Sequence, residues 1–311
     1  MIGKKEVSKL DIKQEVTNAV NNKPSSIIIS DSKWRILVRN VLNAKNTMMI
    51  GATGTGKTSI VYEIAHMLNR PFFKIPLGAT QDPRSTLIGN KEFIEGKGTV
   101  FIESDFVKAI QTPNSIILLD EFTRINHEAE NILFTVLDHQ RYLKIDEEGG
   151  RIVKVAEGVT FVATANIGSA YTATRFIDRA SRDRFITIEM PFLTVDEEFN
   201  HLKDKFPDVK DSDITSLTRI ASIVRDDYTK GGEVYGGELM STRLTEDVTH
   251  SLSDGLSLRE CLEEFVLPLF ENEGGEDTPY LSFKALIDQE LITSDEVKED
   301  IKRTKNVFAR N

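Results

Sequence analysis

The chain has one cysteine, Cys261, which excludes an internal disulfide framework and a cysteine metal site. A buried structural thiol is the role expected of it. Long apolar runs are missing as well. Stretches such as Ile116–Leu119 stop after a few residues, far short of the ~18 that a membrane span needs. The opening residues, Met1-Ile-Gly-Lys-Lys-Glu, are polar and carry no apolar core of a signal peptide, so the cytoplasm is the expected compartment. Positive charge is in deficit, with 39 Lys and Arg against 49 Asp and Glu and a formal net charge of −10. Non-specific nucleic-acid binding draws on counterion-releasing cations, so the balance disfavours a nucleic-acid partner. No internal repeat or low-complexity segment stands out. What is present is ordinary for a globular protein: 311 residues, 40% apolar and 28% charged, enough for one large domain or, more naturally, two.

The most informative stretch is Gly51, Ala52, Thr53, Gly54, Thr55, Gly56, Lys57 and Thr58, a complete G-x-x-x-x-G-K-[ST] phosphate loop. Apolar Thr47–Ile50 before it reads as a strand. Ser59 to Asn69 after it reads as a helix with Ile60, Ile64, Ala65 and Leu68 on one face. Chance would produce the motif in a chain this long roughly once in a hundred, and the strand–loop–helix setting lowers that further. Glycines let backbone N–H groups turn inward around an anion, and the helix N-terminus adds partial positive charge. Lys57 can reach the terminal phosphates, and the Thr58 hydroxyl can hold Mg²⁺.

Further strands are expected at Phe72–Ile75, Ser115–Leu119, Thr160–Ala165 and Phe185–Glu189. All but Phe72–Ile75, which Lys74 breaks, read as continuous apolar runs, as strands buried on both faces should. Helical patterns separate most of them, which predicts a doubly wound α/β fold with a five-stranded parallel sheet. After Pro191 the pattern turns helical. Thr194–Glu197 and Ser257–Glu260 are capping boxes, and helices are expected near 213–226, 242–252 and 258–270. Expected boundaries are an N-terminal extension over 1–30, an α/β core over 31–192, a small all-helical domain over 193–270 and a charged helical tail over 271–311.

Two acids, Asp120 and Glu121, end the Ile116–Leu119 run. At the carboxyl end of a strand they face the crevice where α/β sheets bind ligands. Asp120 is placed to hold Mg²⁺ and Glu121 to polarise a water for attack on a γ-phosphate. Taken alone, an apolar run followed by Asp-Glu usually opens a solvated loop; beside a phosphate loop the catalytic reading is the stronger. Asn166 ends the next buried run, and either binds the attacking water or the γ-phosphate or satisfies loop backbone groups. Arg184, before the last strand, is either an arginine finger or a surface partner of Asp183, with Arg175, Arg179 and Arg182 as competitors. Arg243 opens a helix in the second domain, where it either folds over the phosphates or is solvated.

The order of the phosphate loop, Leu118-Leu119-Asp120-Glu121, Ala163-Thr164-Ala165-Asn166, Asp183-Arg184-Phe185 and Ser241-Thr242-Arg243 resembles the AAA+ ATPases. Within them it is similar to the MoxR-like group, which includes CbbQ/NorQ-type activators, GvpN-type proteins and CobS-type cobaltochelatase subunits. Asp120-Glu121-Phe-Thr-Arg124 looks like that group's Asp-Glu-x-x-Arg segment. The resemblance covers about residues 30–270 and implies a P-loop AAA+ core followed by a helical lid, with ATP and Mg²⁺ as ligands. It gives the loop Gly51 to Ser59 to the nucleotide, Thr58 and Asp120 to the metal, and catalysis to Lys57, Glu121, Asn166 as first sensor, Arg184 as trans-acting finger and Arg243 as second sensor. It also implies a homo-oligomeric ring, a hexamer, acting on a protein client, with a von Willebrand A-type companion. Members carry two insertions, here near 89–108 and at the hairpin Tyr142–Val155. Asp146, Glu147 and Glu148 at the hairpin tip are either a sign against DNA, whose phosphates call for Lys or Arg, or a solvated tip that touches nothing.

Overall fold

The computed structural model describes residues 9–78, 82–166, 183–273, 275 and 277–291. The chain forms two compact units, one of Met1–Ala52, Gly56–Ile167 and Ala173–Met190, the other of Thr53–Thr55, Gly168–Thr172 and Pro191–Asn311.

The first unit opens with α1 (Lys9–Asn21), in a stretch where no element was expected, and α2 (Asp31–Leu42). Trp34 of α2 is fully buried and donates from its indole N–H to the Ala19 carbonyl at 2.9 Å, which fastens α1 to α2. There follow β1 (Thr47–Ile50), α3 (Lys57–Met67), β2 (Phe72–Pro76), α4 (Pro83–Leu87), β3 (Gly89–Ile94), β4 (Gly98–Glu103), α5 (Asp105–Gln111), β5 (Ile116–Asp120), α6 (His127–Leu137), β6 (Tyr142–Ile145), β7 (Arg151–Lys154), β8 (Thr160–Ala165) and β9 (Ile186–Glu189).

Five strands make a parallel sheet in the order β2-β5-β8-β1-β9. This is the α/β fold that the apolar runs predicted. Its centre is buried on both faces: Ile116–Leu119 and Thr160–Ala165 are wholly enclosed, and two apolar clusters cover the opposite sides. One edge differs from expectation. In β9 only Ile188 is buried, so this run is a half-exposed edge strand. Its apolar residues satisfy one face and the register with β1. The break at Lys74 has the same origin, because β2 is the opposite edge.

The insertions form two antiparallel hairpins, β3–β4 and β6–β7. The second tip is not free. Glu147 pairs with Arg84 at 2.6 Å, Glu148 with Arg151 at 2.5 Å and Asp146 with Lys144 at 2.8 Å, while Arg151 also meets Glu103 on β4 at 2.5 Å. The reading of a tip that touches nothing is corrected: its acids neutralise cations of their own unit, and Arg151, shared by Glu148 and Glu103, links the two hairpins.

The second unit contains α7 (Val195–Lys205), α8 (Asp211–Lys230), α9 (Thr242–Ser253) and α10 (Leu258–Cys261). Both expected capping boxes are formed, at Thr194/Glu197 and Ser257/Glu260. The helix expected over 258–270 is α-helical for one turn only. It widens to a π-turn over Leu262–Val266 and tightens to a 3₁₀ turn at Leu267–Leu269, where Pro268 cannot donate to the ladder. Cys261 is buried. Residues 279–291 form a last helix, α11. Its Phe283 stacks on Phe270 at 4.1 Å and shares one core with Leu217, Val224 and Leu262, so this unit continues past the lid end expected at residue 270. An enclosed ion pair pins the interior: Arg225 is bidentate on Glu198 at 2.5 and 2.8 Å and donates to the Met240 carbonyl at 2.6 Å. The extra donors, with the Thr245 hydroxyl on the same carboxylate at 2.6 Å, supply what two buried charges need to offset desolvation.

Candidate functional site

The phosphate loop leaves β1 and enters α3 through Gly56, whose φ of 76° is a left-handed conformation that a side chain would strain. This turn aims the first amides of α3 into the loop. Lys57 is 7% exposed and folds back, donating from Nζ to the Gly51 and Ala52 carbonyls at 3.0 and 2.7 Å. Burial pushes its ammonium down to about 8, against the opposing pull of the Asp120 charge. Lys57 thus feels the Asp120 charge, although one opens α3 and the other ends β5.

Asp120 ends β5. Its Oδ2 is 2.8 Å from the Lys74 ammonium and its Oδ1 accepts from the Thr164 hydroxyl at 2.6 Å. Burial raises its pKa, but hydrogen bonds from Lys74 and Thr164 and the Lys74 charge outweigh that and hold it below the usual carboxylate range. Thr164 also accepts the Glu121 backbone N–H at 3.0 Å, so one hydroxyl of β8 fixes both acids. Glu121 sits in the left-handed region at φ 57°, a strained conformation of the kind that gathers at functional sites. Its carboxylate lies against Gly78, where a Cβ would collide with Oε2, and 3.3 Å from Arg124. Asn166 follows β8 at the same end of the sheet. The strand order makes β1, β8 and β5 adjacent, so the loop, Asn166 and the acid pair converge at the carboxyl edge. Lys74 and Gly78 were not placed in the site from sequence, and Thr164 and Arg124 stood in the quoted motifs without a role. Only Lys74 left a signal, as the polar break in an apolar run.

Arg184 lies elsewhere. Asn46, just before β1, donates from its side chain to the Arg184 carbonyl at 3.2 Å, which sets Arg184 at the amino edge of the sheet. Its guanidinium pairs with Asp138, Nε to Oδ1 at 2.8 Å, rather than with the expected Asp183, and stacks 4.0 Å over Phe134. Arg175, Arg179 and Arg182 lie outside the described residues. Arg243 is exposed on the first turn of α9, in the second unit.

The donors suit magnesium. Thr58 and Asp120 offer a hydroxyl and a carboxylate that already carries a cation, the Lys74 ammonium, and Mg²⁺ takes such hard oxygens together with phosphates rather than a full protein cage. Among the described residues no group of three or more His, Cys, Asp or Glu could hold a metal alone.

The AAA domain of the dynein-related subfamily matches residues 46–185. The protein named "Putative chaperone BssE" of Thauera aromatica is 34% identical over 218 residues, spanning 70% of this chain and 72% of its own. This chain belongs to the AAA+ ATPases. An uncharacterized protein of Staphylococcus epidermidis is 32% identical over 171 residues, 52% of this chain and 63% of its own. NtrX from Brucella abortus superposes with a TM-score of 0.50 at 17% identity, over 79% of this chain and 55% of that one, a likeness of fold. AAA+ ATPases usually form ring oligomers. No helix among the described residues is long and apolar enough to cross a membrane.

The Lys57 environment predicts how ATP affinity depends on pH. Its depressed pKa means the free loop loses its ammonium as pH rises through about 8, whereas bound phosphates favour the charged form. Affinity is expected to be flat near pH 7 and to fall above pH 8, approaching tenfold per unit, with binding taking up a proton there. Calorimetry at pH 7 and 9, in two buffers of different ionisation heat, measures this; no proton uptake at pH 9 refutes it.

Proposed function

We propose that this AAA+ ATPase is of the MoxR-like group and hydrolyses ATP in a homo-oligomeric ring, a hexamer, to remodel or activate a protein client. The observation that carries the reading is the convergence of the Lys57 loop and the Thr164-tied Asp120–Glu121 pair at one sheet edge, with a chaperone-named relative at 34% identity in support. A von Willebrand A-type companion is what the family resemblance adds.

The loop amides from Gly51 to Ser59 and the start of α3 receive the phosphates. Lys57 exchanges the Gly51 and Ala52 carbonyls for phosphate oxygens. Thr58 and Asp120 hold Mg²⁺, which neutralises charge on the phosphates when bound. Glu121 takes a proton from the attacking water as its oxygen bonds to the γ-phosphorus and the bond to the ADP oxygen breaks. Asn166 orients that water, and Arg243 keeps the sensor role that the resemblance implies.

In this reading Arg184 serves the site of another copy. β1 has four residues and advances about 13 Å, so the sheet separates Arg184 from its own Lys57. A site completed in trans makes turnover bimolecular. Turnover per chain, measured against protein concentration at saturating Mg-ATP, is expected to fall steeply on dilution; equal turnover at every dilution sinks the ring reading.

A further inference from the structure

The amino edge of the sheet holds a device that the catalytic assignment leaves unused. Phe134 and Asp138 stand one helical turn apart at the end of α6, where Asp138 is the C-cap. Side chains at that spacing share a face, and both close on Arg184. The carboxylate takes Nε at 2.8 Å and Nη2 at 3.2 Å, while the ring lies 4.0 Å beneath the guanidinium. Asn46 fixes the Arg184 carbonyl from below. The arginine is thereby drawn against its own unit, with its side chain 21% exposed. Beside it opens a cavity of about 430 Å³, lined also by Lys45, His139, Arg141 and Asp183. A guanidinium held in this way cannot reach a phosphate on another molecule until it leaves the carboxylate.

We propose that Asp138, aided by Phe134, is a positioning residue that parks Arg184, and that docking a second copy's triphosphate exchanges this carboxylate for phosphate. The proposal rests on Arg184 acting in trans. Parking lowers the fraction of chains with an engageable arm, and the apparent affinity of the nucleotide-bridged contact falls by that fraction. The pair is partly exposed, with Asp138 at 39%, so the penalty is modest, roughly 1.5- to fivefold. Removing the carboxylate therefore makes assembly easier. Loss of a purely structural ion pair would make it harder.

The test is the protein concentration at half-maximal assembly in Mg-ATP, by sedimentation, with turnover per chain followed in parallel. Asp138→Asn is expected to lower the midpoint roughly 1.5- to fivefold, with maximal turnover within about twofold of wild type. Phe134→Leu is expected to shift it the same way and carries the test if Asp138→Asn does not fold. In an Arg184→Ala background, Asp138→Asn is expected to move nothing. An unchanged or higher midpoint in both single variants overturns the proposal, and so does a shift that persists without Arg184. Arg184→Ala turning over like wild type would instead remove the trans-finger reading on which the proposal stands.

Discussion

Glu121→Gln is expected to lower steady ATP turnover about 10²- to 10⁴-fold, the range general-base catalysis contributes, while Mg-ATP binding survives. The amide keeps the shape of the side chain but cannot accept the proton of the attacking water. In the proposed site binding rests on other atoms: the amides after Gly56, the Lys57 ammonium and the Asp120 carboxylate. The Glu121 backbone N–H, through which Thr164 orders this corner at 3.0 Å, is unaltered by the substitution. The side-chain contact with Arg124 at 3.3 Å is the part that weakens, and as a half-exposed pair it contributes little to stability. The variant should therefore accumulate in its ATP-bound form, and fluorescent-nucleotide titration beside steady-state turnover separates the two properties. Equal turnover in wild type and variant would leave a nucleotide-gated scaffold as the better description. Affinity capture with the trapped form is expected to retain protein, and recovery of nucleic acid instead would reverse the reading drawn from the charge balance.

The central strands were legible because a strand buried on both faces leaves nothing but apolar residues in its sequence. Thr47–Ile50 and Thr160–Ala165 have the expected bounds. The phosphate loop was legible because close anion contact restricts residue type at fixed spacing, as Gly56 illustrates. The edge strand β9 was misjudged, since an apolar run does not say how many faces are covered; it buries Ile188 alone. The role of Thr164 was invisible for a different reason. A lone threonine suits any strand, and only the parallel pairing of β5 with β8 brings its hydroxyl to Asp120 and Glu121. Ion pairs distant in sequence, such as Arg84 with Glu147 and Arg151 with Glu103, were out of reach likewise. The acidic hairpin tip therefore looked free when its charges were already matched. α1 escaped because its apolar residues are few and its burial depends on Trp34, 15 residues on from Ala19.

Arg184→Ala carries the largest expected loss, about 10³- to 10⁵-fold in turnover, the value of an arginine supplied in trans to a phosphoryl group. ATP affinity of the isolated chain should hardly change, because Arg184 lies at the amino edge beside Asn46 while the loop leaves the carboxyl end of β1. Size of effect alone does not prove action in trans, since a collapsed fold would also be inactive. Mixing decides the matter. Arg184→Ala chains keep Glu121, and Glu121→Gln chains keep Arg184. If the two groups meet across a head-to-tail interface, random co-assembly of equal amounts places an intact Glu121 opposite an intact Arg184 at about a quarter of the interfaces. Two nearly inactive preparations should then recover up to about a quarter of wild-type turnover when combined. If both groups served one chain's own site, every chain in the mixture would lack one of them, and no activity would return at any ratio.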